Sequence, residues 1–183
     1  MPASAPSLMT AEEILVLDLP NKSTELVRGQ LIVREPPSTY HGIISARLLY
    51  LISHHVYSNE LGVVASQDTG FHIATDPDTV RAPDVAFVGR ARTSHIPEHG
   101  YARLAPDLAV EVLSPGDRPG ELLSKVGDWL DAGVRLVWVL DPARRQARVY
   151  RADGSVAVIA MDGELEGEEV LPRFCCALAE VFK

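Results

Sequence analysis

The sequence predicts an α/β domain with a mixed β-sheet, and three observations carry that expectation. Helix and strand patterns come first and a strand-helix-strand unit follows, an order that suits a mixed sheet with a crossover connection. The run RLVWVLD at 135–141 is apolar enough to lie at the centre of a sheet. With 46% hydrophobic residues in a chain of 183, there is enough apolar material for one core.

Residues 1–9, beginning MPASAPS, read as a flexible tail, and residues 10–183 as a single domain. TAEEILVL offers Thr10 as an N-cap with Glu13 three residues on, a capping box for a short helix. TELVRGQLIVRE sets two β-rich runs around Arg28-Gly29-Gln30, a hairpin, and Pro36-Pro37 breaks the chain after it. Ile44, Leu48, Leu51, Ile52 and Val56 recur at helical spacing from about Ser38 to Asn59, with Ser38 or Thr39 as cap and Gly62 beyond the end. GVVAS, TGFHIA and PDVAFV read as short strands, with Asp76-Pro77-Asp78 as a turn between the second and third. LAVEVL is a strand bounded by Pro106 and Ser114-Pro115-Gly116, and PGELLSKVGDWLDAG a helix with Pro119 near its start and Gly133 as its stop. RLVWVLD, QARVYR and SVAVIA complete the strands.

Composition narrows the function classes. The N-terminus lacks the basic and apolar regions of a secretory signal, and no apolar run reaches the roughly 18 residues that span a bilayer, so the expectation is a cytoplasmic protein without a membrane partner. Cys175 and Cys176 are adjacent, unsuited to a structural disulfide or a zinc site, and read as small buried hydrophobes. The net charge of −8 argues against a protein that coats nucleic acid through bulk electrostatics. Its distribution is uneven: Arg81 to Arg151 holds 11 Lys/Arg against 9 Asp/Glu. Asp153 to Glu169 holds six acids and no base, and reads as a solvated hairpin or loop.

Two carboxylates stand in or beside apolar strands, Asp84 in RAPDVAFV and Glu111 in LAVEVLS. If those strands are neighbours, both acids can converge on one hard cation such as Mg²⁺, which takes oxygen ligands and keeps several waters. Such an ion serves phosphodiester hydrolysis. An ion pair of each acid with one of the arginines between 81 and 103 stays open as the alternative. Lys125 lies about 40° from Trp129 on a helix turning roughly 100° per residue, at the margin of the buried stripe of Leu122, Val126, Trp129 and Leu130. Its ammonium can reach inward, or else pair with Glu121 one turn back.

ELVRGQLIV, RAPDVAFV, DLAVEVLSPGDR, the helix with Lys125 before DAGVRLVWVLDP, and EEVLPRFCCALAEVF together resemble the Uma-two family of restriction endonucleases, over residues 10–182. That family belongs to the PD-(D/E)XK nuclease superfamily. The resemblance implies a restriction-endonuclease-like core sheet of four to five strands flanked by helices, here with an extra N-terminal hairpin. It implies Asp84 and Glu111 as metal ligands, joined by the backbone carbonyl of Val112, with Mg²⁺ or Mn²⁺ as cofactor and DNA as substrate. The superfamily's lysine two residues after the second acid is here Leu113, and Lys125 on the following helix is the matching residue. Glu25 and His41 match positions that line the family's site. For Glu25 the alternative is a hairpin charge paired with Arg28 or Arg34; for His41 it is a helix N-terminal residue with no ligand role. Asp141-Pro142 is explained as a turn and Trp129 as a core aromatic, so neither is assigned to the site. The leading function is therefore a Mg²⁺-dependent DNA endonuclease, set against an inactive nuclease-fold protein that binds nucleic acid or a protein partner. A homodimer suits such a fold, though no sequence feature specifies one.

Overall fold

The structure, a computed structural model, describes residues 8–183. Residues 1–7 of the expected tail lie outside the described residues, while Met9 is tied to the hairpin through its N–H, which donates to Gly29 O at 2.8 Å. Helix α1 (Ala11–Leu15) carries the expected capping box, with Thr10 Oγ1 accepting from Glu13 N and Glu13 Oε2 accepting from Thr10 N. Strands β1 (Ser23–Val27) and β2 (Gln30–Arg34) form the hairpin. Its two-residue turn has Arg28 at φ 49° and Gly29 at φ 73°, the twist that suits a tight antiparallel connection.

Helix α2 (Thr39–Ser58) starts at the Ser38 cap, whose side chain accepts from His41 N. Strand β3 (Gly62–Ser66) follows, then β4 (Phe71–Ala74), β5 (Thr79–Arg81) and β6 (Val85–Gly89). β5 is absent from the sequence reading, which places only a turn there. Three residues are too few for a periodic signal, and only pairing to β1 and β4 defines the strand. Strand β7 (Leu108–Val112), helix α3 (Pro119–Asp131) and β8 (Leu136–Asp141) form the expected strand-helix-strand unit, with Pro119 at the start of the helix and Gly133 at φ 96° after it. Strands β9 (Gln146–Arg151), β10 (Val156–Ile159), β11 (Glu164–Glu166) and β12 (Cys175–Ala177) and helix α4 (Leu178–Val181) complete the chain.

The core sheet has six strands in the order β10-β9-β8-β7-β6-β3, more than the four to five expected. β7 and β8 are parallel and joined through α3, while the other pairs are antiparallel, so the sheet is mixed. β4 does not join it. With β5 it extends the hairpin into a second, four-stranded sheet in the order β2-β1-β5-β4.

Alternation along the strands sorts side chains to two layers. Leu108, Val110 and Val112 of β7 and Val85 and Phe87 of β6 pack with Ile44, Leu48, Ile52 and Val56 of α2. Ala109 of β7 and Ala86 and Val88 of β6 pack on the other side with Val126 and Trp129 of α3. All six residues of β8 are buried, as a central strand covered on both faces requires. The acidic segment holds the expected strand β10 and adds β11, paired to β9 and β12 rather than to each other; Leu165 is fully buried, and Glu168 pairs with Arg151. Of the two cysteines only Cys176 is buried; Cys175 is exposed and bonds Glu164, because successive residues of β12 face opposite sides.

Ile52 is fully buried against the core sheet, whereas Tyr50 on the same helix is 68% exposed. Ile52→Ala should therefore cost about 2–5 kcal/mol in urea unfolding, and Tyr50→Ala should stay within about 0.5 kcal/mol of the parent.

Candidate active site

Glu111 shares the α3-facing parity of Ala109, so β7 delivers one carboxylate into an otherwise apolar layer. Its partners come from the helix. Lys125 Nζ donates to Glu111 Oε2 at 2.8 Å, and Trp129 Nε1 donates to Glu111 Oε1 at 2.8 Å. Lys125 also donates to Ala82 O at 2.9 Å and lies 3.0 Å from Glu25 Oε1, so its three N–H groups face three acceptors. Its side chain is 13% exposed; the alternative pairing with Glu121 does not occur, since Glu121 faces Arg34 and Arg118. Trp129 is more than the core aromatic the sequence suggests: it is fully buried and also holds the Glu111 carboxylate. Its place four residues after Lys125 puts both on one helix face, but a tryptophan in a buried stripe carries no sequence signal of a carboxylate partner.

Glu25 is buried on β1 and accepts from Ala82 N and Arg81 Nη1, each at 2.9 Å. Neither arginine expected from the hairpin is its close partner: Arg34 Nε stands 3.9 Å away, and Arg28 faces Asp128 at 3.4 Å. Arg81 turns its other edge to Asp128 on α3, with Nε and Nη2 at 3.0 and 2.5 Å from Oδ2. Arg81 and Asp128 carry no sequence signal of this role, because β5 itself is invisible there.

Asp84 sits just before β6, where its backbone N–H donates to Val110 O and its Oδ2 accepts from Val112 N at 2.6 Å. The adjacent strands thus bring Asp84 to the end of β7. Its Oδ1 faces His41 Nε2 at 3.3 Å, and His41 Nδ1 lies 3.4 Å from Ser45 Oγ one turn along α2. No arginine pairs with Asp84 or Glu111 among the described residues. Asp141 accepts from Arg144 at the strand end, in line with its reading as a turn residue.

Glu25, His41, Asp84, Glu111, Val112 and Lys125 line one cleft of about 530 Å³. Electrostatics differ sharply among them. Burial pushes the Glu111 carboxyl up to about 7 and, although Lys125 pulls it down, the Asp84 and Glu25 charges add to the rise. Burial also disfavours ionised Glu25, but Lys125 and Arg81 outweigh it and hold the carboxyl at about 2. Burial opposes the Lys125 charge, and Glu111 and Glu25 overcome it, so the ammonium is held above its ordinary range. His41 is raised: desolvation opposes its charge, while Asp84 and the Val112 backbone favour it.

Glu25, Glu111 and Asp128 alternate with Lys125 and Arg81 in one ion-pair run, and Asp84 faces His41 beside it. Among the described residues no three His, Cys, Asp or Glu side chains form a metal cage. The Asp84 and Glu111 carboxylates at the cleft are hard oxygen donors, the chemistry that suits a divalent ion keeping much of its water.

The family model described as "Uma2: Putative restriction endonuclease" matches residues 11–179. Among solved structures, a crystal structure of a putative nuclease belonging to DUF820 from Anabaena variabilis ATCC 29413 is similar, with a TM-score of 0.79 and 21% identity over 95% of this chain and 97% of that one. At that identity the likeness is one of fold. No curated protein matches. No helix among the described residues is long and apolar enough to cross a membrane.

Because the folded Glu25 carboxyl lies below its ordinary value of 4.5, its contribution to stability is present above pH 4.5 and is lost as pH falls towards 2. That contribution is about 3 kcal/mol. Glu25→Gln should flatten the stability profile between those values, measured by chemical unfolding at each pH.

Proposed function

The chain belongs to the Uma2 family of putative restriction endonucleases, and from that premise we propose that it is a Mg²⁺-dependent endonuclease hydrolysing DNA phosphodiester bonds. One observation carries the reading beyond the family. Lys125, supplied by α3, places its ammonium 2.8 Å from Glu111 and within the same cleft as Asp84, although the strand position that usually carries this lysine is Leu113. Residues 10–183 then act as one nuclease domain, with DNA as the partner.

Asp84, Glu111 and the Val112 carbonyl are the groups that would hold Mg²⁺, or Mn²⁺ in its place. When bound, the ion polarises the phosphoryl group and favours ionisation of the attacking water. Trp129 keeps Glu111 Oε1 oriented, and His41 does the same for Asp84 Oδ1. Lys125 holds three acceptors at rest, so to act it exchanges one of them, Glu25 or Ala82 O, for the nucleophile or the phosphate. In that position it orients the water and offsets negative charge that grows on the phosphate in the transition state. Glu25 and Arg81 hold the lysine in register without touching substrate.

Under Mg²⁺ or Mn²⁺ the wild type should cleave plasmid or single-stranded DNA, and Asp84→Ala, Glu111→Ala and Lys125→Ala should each lose about 10²-fold or more in rate. Equal rates in wild type and all three variants overturn the reading. Divalent ions should also raise the Tm of the wild type, and Asp84→Asn should abolish that rise, a readout independent of cleavage.

A further inference from the structure

We propose that Arg34 is a phosphate-binding residue of the cleft, taking a backbone phosphate of the substrate strand; the assignment rests on the nuclease reading and extends it to a residue outside the expected set. Arg34 ends β2 and lines the cleft. Its guanidinium stands among three carboxylates: Nε is 3.9 Å from Glu25 Oε2, Nη1 is 3.7 Å from Asp117 Oδ1, and Nη2 is 3.8 Å from Glu121 Oε2. All three separations exceed hydrogen-bonding distance. The Nε atom is nonetheless buried and has no hydrogen-bond partner among the described residues.

A buried, unclaimed N–H is costly unless a ligand or solvent takes it. Two of the three neighbouring acids accept hydrogen bonds from closer donors. Glu25 accepts from Arg81, Ala82 and Lys125, and Asp117 Oδ2 accepts from Ser114 N at 2.7 Å. Arg34 therefore makes ion-pair contacts with three acids and a hydrogen bond to none, and its side chain, at the cleft it lines, is 37% exposed. It and Lys125 approach different oxygens of the same Glu25 carboxylate, so the two cations are neighbours. A guanidinium fork offers parallel N–H groups that match two phosphate oxygens at hydrogen-bonding distance, closer than any of the three carboxylates stands. Arg118, 82% exposed and 3.5 Å from Glu121, supplies the comparison: a nearby charge without a buried donor.

Fluorescence anisotropy with a labelled DNA oligonucleotide over a salt series tests the assignment, using Glu111→Gln as parent to block cutting. Arg34→Ala should weaken binding about tenfold and lower the slope of log Kd against log salt by about one. Arg34→Lys should recover the slope but not the full affinity, and Arg118→Ala should change affinity less than Arg34→Ala. A misfolded Arg34→Ala protein would be seen in its Tm, and Arg34→Lys then decides through its affinity. If the wild type cleaves DNA and both Arg34 variants bind and cleave as it does, the assignment to Arg34 falls while the nuclease reading stands. If the parent binds with the predicted Arg34 dependence and the wild type never cleaves, the assignment stands and the nuclease reading falls. If neither the parent nor the wild type binds DNA and the wild type does not cleave it, both fall.

Discussion

A single run of buried charge, Asp128–Arg81–Glu25–Lys125–Glu111, is the constraint on which the rest of the structure depends. Its members come from α3, β5, β1, α3 again and β7, so it links the small sheet to the core sheet through one helix. No member is tolerable alone at such burial. An isolated ion in this setting costs several kcal/mol, and the attraction of its neighbours offsets that cost only when every partner is in place. The N-terminal hairpin is thus a working part of the cleft. Without β1 and β5, Lys125 would lose Glu25 and the geometry that Arg81 enforces.

The same run sets the terms of function. Lys125 is saturated by three acceptors, which holds the ammonium beside Glu111; in the proposed reaction it would release one of them to reach a substrate. Glu111 lies at the other extreme: burial and two neighbouring carboxylates leave its charge under-compensated, despite Lys125 and Trp129. Groups with opposed electrostatic demands in one cleft are what the proposed nuclease chemistry needs. A core designed for stability alone would replace them by apolar packing.

Much of this was legible before any fold was known, and the reasons differ by residue. The Ser38 cap, the capping box at Thr10, the Arg28-Gly29 turn and the Pro119 start of α3 are local devices, specified within a few residues of chain. Asp84 and Glu111 stood out because a charge in an apolar strand is conspicuous, and Lys125 because its angle on the helix lay at the edge of the buried stripe. Trp129 was hidden for the converse reason. A tryptophan in a buried helix face needs no explanation, so its N–H carried no warning that it held a carboxylate.

The sequence by itself therefore determined the helices α1 to α3, the longer strands, the mixed sheet and the three chemically conspicuous residues. It did not determine β5, β11, β12 or α4, since periodicity and local chemistry decide only what a window of contiguous chain can show. Only the tertiary structure decided the second sheet, the strand β5, and the roles of Arg81, Asp128, Trp129 and Arg34. The physical reason is distance along the chain. Arg81 meets Glu25 across 56 residues and Asp128 across 47, and an arginine is free or committed only according to what the fold sets around it. No spacing rule reaches that far, because the pairing energy exists only after the two sheets and α3 have packed together.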